Sequence, residues 1–527
     1  MFMTKHQIDM KREIKDHDQT FLYIATENIY YCFLQAQIIK ALKEHNPNTR
    51  HVVVPCFGIR QHESDESRKL PRRLKRLQAS WCEKEKERSR AIQCVEHIRH
   101  FLDQSLAGDV HTITYTNWLK HLSKAKCSAA VETMSKMKRR LEYNEGLSIN
   151  GILCGDLCAD TYMRYKPDIS VDARDPYFKK TVTRAMALIQ FYRELIRNYK
   201  PTILIGTDTT YVHHGIPHRV AAQANIPSIS LAGLEESFKL NMNRNKYSIH
   251  RSSQPSYCRN YPAYTRGCES EIPEIIYKKA SESLKRRVNN IYDATFTYMK
   301  KGLDSTCDAA ESCNGRVLIM LHDFFDASHI YRWKIFSDFY AWAHSTISFC
   351  IHNNIPVAVK PHPAQISESE RVVKMLKELH ATSKQILWID KSQKNSSLFK
   401  SNPALIVSMY GSVAAEATYA GIPVLLAGDH PGINFDIGHT AKDQEEYFSI
   451  IRQYKQAKQG LAEDAISFTA QHYYNNFARK FDSLKSRISQ DEGEWNRYSN
   501  YQNHQVINYA KEFRIALIKR LQGESIL

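Results

Sequence analysis

NPALIVSMYGSVAAEATYAGIPVLLAGDHP, residues 402–431, carries the spacing of a strand–turn–helix–strand unit. Residues 404–408 are a short apolar run rich in β-formers, the pattern of a buried strand. Met409, Tyr410, Gly411 and Ser412 read as a tight turn, with Ser412 as N-cap of an alanine-rich helix. Gly421 stands where a helix-ending glycine belongs, and Pro423 forbids continuation. Residues 424–427 then supply the next strand. Such a turn presents backbone N–H groups at a helix N-terminus, which favours a phosphate or carboxylate. Glu416 lies one helical turn beyond Ser412, where it would meet the ribose of a nucleotide bound at the turn. The plainer alternative is an ordinary α/β crossover with a glutamate on the helix surface.

A second stretch bears on that choice. Residues 355–360 (IPVAVK) form another buried-strand pattern and run directly into Pro361-His362-Pro363. Two prolines stiffen the exit, and Lys360 and His362 stand at the carboxyl edge of a strand, where ligands bind in open α/β sheets. A single histidine after a strand is usually structural; a Lys-Pro-His-Pro beside an anion site is more pointed.

The chain has 527 residues, enough for two domains or three, and a hydrophobic content of 43%, ordinary for a globular protein. No apolar run approaches the roughly 20 residues of a membrane span. The first residues, MFMTKHQIDMKREIKDHD, are polar and mixed in charge, unlike a secretory signal. Twelve cysteines are scattered without a Cys-x-x-Cys pair, and Cys154 and Cys158 have no obvious histidine partners. Reduced thiols in a cytoplasmic protein are expected, and no metal. Lys plus Arg number 73 against 56 acidic residues, a net charge of +17, which implies an anionic partner. Part of the excess is local. Residues 68–90 are basic and helical in pattern, with Leu70, Leu74, Leu77 and Trp81 on one side. That helix either packs through its leucine stripe, the commoner case, or lies on an acidic membrane surface.

Taken in order, the chain begins with a polar tail (1–19) and a first domain over 20–302. Strands at 20–25 and 51–55 around a helix at 29–44 open a parallel sheet. A charged helical insertion spans 65–105. Strands follow at 110–115, 149–155, 202–206 and 228–231, with helices at 118–143 and 177–199. Pro217 is expected at the first turn of a further helix. Acids then stand at strand exits: Asp156 and Asp160 after one strand, Asp208 after another, with Tyr211, His214 and Arg219 close behind. Each acid has a plainer role as a turn cap. Residues 234–270 read as a polar, substrate-facing loop, 272–301 as a helix and 303–315 as an interdomain linker. The second domain, 316–488, repeats the strand–helix alternation, and a terminal amphipathic helix lies within 489–527. His322, Asp323, Asp326 and His329 suggest a metal only by composition, without ligand spacing. Asp16-His17-Asp18 has an Asp-x-Asp form but sits in the polar tail.

Two such domains leave a cleft between the carboxyl edges of their sheets. One acid of the first domain would serve as general base or nucleophile, and cationic side chains would stabilise a departing phosphate. On three features the sequence resembles GT-B-type glycosyltransferases of bacterial capsule and lipopolysaccharide synthesis, the β-Kdo transferases among them. These are His362-Pro363, GSVAAEATYAGIPV from Gly411, and LHDFFDASH from Leu321; GDLCADTYMR from Gly155 and YVHHGIPHRVA from Tyr211 are weaker echoes. The resemblance covers residues 316–432 best and implies two Rossmann-like parallel-sheet domains facing a cleft. It implies donor contacts from Lys360, His362, Tyr410, Gly411, Ser412 and Glu416, with His322 and Asp323 counted among them, and Glu416 on the ribose. It further implies a catalytic aspartate, Asp160 or Asp208, with His214 nearby. The donor would be a nucleotide-sugar, a CMP-sugar in the Kdo case, and the acceptor a glycan or lipid-linked glycan at the inner face of the membrane. Met409-Tyr410-Gly411-Ser412 departs from the serine-rich run of the Kdo enzymes, which bears on the donor more than on the fold. The competing classes are a CDP-polyol phosphotransferase of teichoic-acid type, a nucleotide-sugar epimerase, and a basic nucleic-acid binder. Against the last stands the lack of a zinc finger, an RNP-like strand or a P-loop.

Overall fold

The computed structural model describes residues 19–26, 29–57, 87–125, 147–232, 239–243, 274–291, 313–329, 334–363, 365–430 and 432–471. The polar tail with its Asp-x-Asp, the leucine-striped part of the basic insertion, most of the 303–315 linker and the terminal helix lie outside these residues.

The first domain contains β1 (Gln19–Ala25), β2 (Thr49–Pro55), β3 (Val110–Thr112), the small strands β4 (Ser148–Ile149) and β5 (Ile152–Leu153), β6 (Ile203–Gly206), β7 (Ser228–Ala232) and β8 (Lys239–Asn243). The second contains β9 (Val317–Met320), β10 (Val357–Lys360), β11 (Ile386–Trp388), β12 (Leu405–Ser408), β13 (Val424–Leu426) and β14 (His439–Thr440). Two six-stranded sheets result, ordered β3-β2-β1-β6-β7-β8 and β11-β10-β9-β12-β13-β14. Both have the doubly wound 3-2-1-4-5-6 order, in which strands are added to one side of the first strand and then, from the fourth on, to its other side. The second sheet is parallel throughout. The first is parallel except that β8 pairs antiparallel with β7. The protein therefore has two Rossmann-like domains, the GT-B-like layout.

The strands read as unbroken apolar runs because helices cover both faces of each sheet. Alternate residues separate into different cores. In β1, Leu22 and Ile24 pack on one face, and Phe21, Tyr23 and Ala25 on the other. In β9, Val317 and Ile319 join the first cluster, while Leu318 and Met320 join a third.

Several expectations are corrected. The expected strand at 149–155 is the antiparallel hairpin β4–β5, and a helix, Gly155–Tyr165, starts immediately. Asp156 and Asp160 therefore sit on a helix, not at a strand exit. The expected loop contains β8, whose polar KLNMN hides the strand pattern. The helix expected to start at Pro217 begins at Tyr211 and runs to Gln223 with Pro217 inside it. Tyr211 enters it with a left-handed φ of 58°, strained for an aromatic side chain. The helix Glu274–Val288, read as the end of the first domain, packs on the second: Leu284 clusters with Ala415, Phe435, Ile437 and Phe468. Among the described residues no helix is long and apolar enough to cross a membrane.

Candidate functional site

In the second sheet the strand order reverses between β9 and β12, and the crevice outside such a switch point is the usual ligand site. The chain builds it from strand exits. His322 follows β9, Lys360 ends β10 with His362 just beyond, and Ser408 ends β12 with Tyr410 and Gly411 beyond. His322 bridges the reversal, its Nε2 lying 3.1 Å from Ser408 Oγ. Its ring stacks on Phe339 at 4.4 Å and tilts against Tyr410 at 5.1 Å. Burial first, then the neighbouring His362, pushes its pKa down to about 3. At neutral pH His322 is therefore a hydrogen-bonding group and not a cation.

Gly411 is fixed by space: a Cβ there would lie 2.7 Å from Ser408 Oγ. Its N–H donates to that same oxygen at 3.1 Å. This amide, expected to be free for an anion, is thus used inside the turn. Ser412 occupies the N-cap position in helical conformation, and its hydroxyl makes no capping bond. Tyr410 OH donates to the Ser328 carbonyl at 2.9 Å, tying β12's exit to β9's. Asp323 braces the fold as well: it accepts from Phe325 N, Ile366 N and Ser369 Oγ, locking β9's exit to the helix Ser367–Leu379. Gly421, with φ of +81°, ends its helix as expected.

Lys360 is 3% exposed, and its Nζ donates to Asn395 Oδ1 at 3.0 Å. Burial pushes its pKa down to about 8, against the opposing pull of Glu416 and Asp390. It keeps its charge at pH 7 but lies in the floor of the crevice, behind the more exposed His362. Glu416, also buried, has Arg287 Nη1 at 3.9 Å. Sequence spacing gives no hint of Arg287, which looks like one more cation in the last turn of its helix.

The first domain meets this crevice at its own carboxyl edge. Asp160 accepts from His329 N at 3.0 Å and contacts His329 Nδ1 at 2.6 Å, both residues being buried. Tyr211 OH donates to Asp326 Oδ1 at 3.3 Å across the same junction. Ala327, beside Asp326, has a left-handed φ of 48°, so both sides of the junction hold a strained residue. Asp156 instead forms a two-pronged ion pair with Arg219, at 2.6 and 2.5 Å. Asp208 caps its turn through Thr210 N and Thr210 Oγ1, at 2.9 and 2.8 Å. The acidic and imidazole groups of 322–329 disperse to these separate partners and do not gather around one point.

His214 lies 3.9 Å from Cys56 Sγ through Nδ1, and its ring centroid is 4.2 Å from that of His213. Cys56 and His214 are 158 positions apart, so no local spacing reveals the grouping.

One buried imidazole sets an acid limit on the fold. His218 is fully buried against Ser228 Oγ at 2.8 Å, and burial, with His214 adding to it, pushes its pKa down to about 3. The unfolded chain takes up this proton near pH 6.5 and the native chain only near pH 3. Stability contributed by this group is complete above about pH 6.5 and is lost as pH falls, by about 1.4 kcal/mol per unit. Melts between pH 7 and 4 should show a shallower decline in His218→Asn than in the parent.

Neither a protein-family model nor a curated protein sequence matches the chain. Among solved structures, Thermosulfurimonas dismutans KpsC, β-Kdo 2,4 transferase, is similar over 51% of this chain and 79% of its own, at 12% identity and a TM-score of 0.33. The Neisseria meningitidis UDP-GlcNAc 2-epimerase bound to UDP-GlcNAc is similar over 86% and 97%, at 12% identity and a TM-score of 0.30. A glycosyltransferase from Rickettsia africae is similar over 92% and 99%, at 11% identity and a TM-score of 0.26. At such scores no argument rests on these likenesses, and the two-domain assignment stands on the strand order itself.

Proposed function

We propose that this chain is a glycosyltransferase that moves a sugar from a nucleotide-sugar to a glycan or lipid-linked acceptor. The observation that carries this reading is the Asp160–His329 contact of 2.6 Å, which joins the helix Gly155–Tyr165 of the first domain to the segment after β9 in the second. A nucleotide in the β9–β12 crevice would place its ribose against Glu416, whose carboxylate has Arg287 Nη1 at 3.9 Å and helps to keep Lys360 charged. His362 and the neutral His322 would take donor phosphate oxygens, and Lys360 supplies the buried positive charge beneath them. The donor half thereby needs no metal in this reading. The sugar would project to the junction, where Asp160 acts at its anomeric carbon as nucleophile or as base for the acceptor hydroxyl. The bond between that carbon and the phosphate oxygen breaks, and the nucleotide leaves with the electron pair.

The finer reading, a CMP-activated acidic sugar such as Kdo, rests on the sequence resemblance. It is tested with the site itself, by thermal unfolding with CMP, CDP, UDP, GDP and NAD. A ligand at 100 times its Kd should add about 2.7 kcal/mol to the parent. His362→Ala and Glu416→Ala should lose that gain for the same nucleotide. CMP alone stabilising would favour an acidic sugar, CDP a polyol phosphate, and UDP or GDP a neutral hexose. No shift with any of them would sink the donor site.

A further inference from the structure

The first sheet has its own switch point, between β1 and β6. Cys56 directly follows β2 beside it, and His213 and His214 lie in the first turn of the helix that follows β6. We propose that Cys56, His213 and His214 bind a divalent transition-metal ion of the zinc class. This proposal stands independently of the sugar-transfer reading.

Three ligand atoms, one sulfur and two imidazole nitrogens, lie within 4.8 Å of one another. Zinc–sulfur and zinc–nitrogen bonds together span roughly 4.4 Å end to end. The 3.9 Å between Cys56 Sγ and His214 Nδ1 already falls inside that limit. Closing the set around an ion asks for movements of about 1 Å or less. The chemistry of the donors is selective: thiolate with imidazole suits zinc and its neighbours and disfavours magnesium and calcium, which take oxygen. His213 is buried, while Cys56 and His214 are half-buried, so the group is enclosed yet reachable.

The His213 ring is packed between neighbours. Tyr211 stacks on His213 at 5.9 Å and an interplanar angle of 7°, and Tyr165 lies at 6.1 Å. Fixed ring orientation is what outer contacts contribute at metal sites. Binding would deprotonate the Cys56 thiol and release its proton to solvent, so uptake weakens as pH falls. Three protein ligands leave a fourth position for a water or for an oxygen of a molecule bound in the crevice.

Cobalt(II) titration of the full chain, after chelator treatment and followed by absorbance, tests this. One equivalent should bind with a near-ultraviolet thiolate charge-transfer band and intense visible bands of four-coordinate cobalt, both removed by zinc. Cys56→Ser should lose the near-ultraviolet band. His214→Asn and His213→Asn should each weaken binding by more than the roughly 10–100-fold that follows loss of an outer contact. His439→Asn, in the other domain, should change nothing. If Cys56→Ser fails to fold in a melt, the two histidine variants decide. A charge-transfer band retained in Cys56→Ser, unweakened binding in both histidine variants, or no cobalt uptake by the parent would each overturn the site.

Discussion

Arg219→Ala should destabilise the first domain by about 3–5 kcal/mol, the cost of leaving one member of a buried ion pair without the other. Arg219 is 1% exposed and grips both oxygens of Asp156, at 2.6 and 2.5 Å. Its Nη1 also donates to the Leu153 carbonyl at 2.7 Å, which ties the β4–β5 hairpin to the helix that follows β6. Removal of the guanidinium strands a carboxylate at 9% exposure and frees a carbonyl. The pair itself is expected to be nearly neutral against apolar residues of similar size. Asp156→Leu combined with Arg219→Met should therefore recover most of the loss. Urea unfolding of the single and double variants measures both numbers. A single variant as stable as the parent would mean that the pair is solvated in solution.

Asp160→Asn should lower transfer by about 10²–10⁴-fold, the usual contribution of a positioned acid or base. Asparagine keeps the size and one acceptor oxygen for the His329 N–H, so the melt should move little. Asp208→Asn should have a much smaller effect on turnover, because Asp208 caps its own turn through Thr210, whereas Asp160 reaches His329 of the second domain. Single-turnover rates with a sugar donor carrying the nucleotide that stabilises the parent make the comparison. Full activity in Asp160→Asn would remove it from the chemistry and leave it as a junction contact with His329.

Most strands of the two sheets were legible because they are short, mainly apolar runs bounded by glycine, proline or a polar turn. Residues 355–360 and 404–408 run past β10 and β12 only at their leading ends. β8 was illegible because KLNMN is polar and joins the edge. The 149–155 run misleads because Asn150 and Gly151 both take left-handed φ and fold it into a hairpin. Site residues that directly follow strands, His322 and His362 among them, could be found from the strands themselves. Their partners could not. Arg287 reaches Glu416, His329 reaches Asp160 across 169 positions, and Cys56 reaches His214 across 158. Such pairs depend on how two sheets and a distant helix come together, which no local spacing encodes.

The helix Glu274–Val288 has a practical consequence for dividing the protein. A second-domain fragment started at residue 316, at the edge of β9, would discard this helix. It would leave a hollow where Leu284 fills the space between Ala415, Phe435, Ile437 and Phe468. It would also discard Arg287 and so remove the guanidinium 3.9 Å from the buried Glu416. Separate expression of the second domain accordingly has to begin before residue 274, some forty positions upstream of the sheet it would isolate.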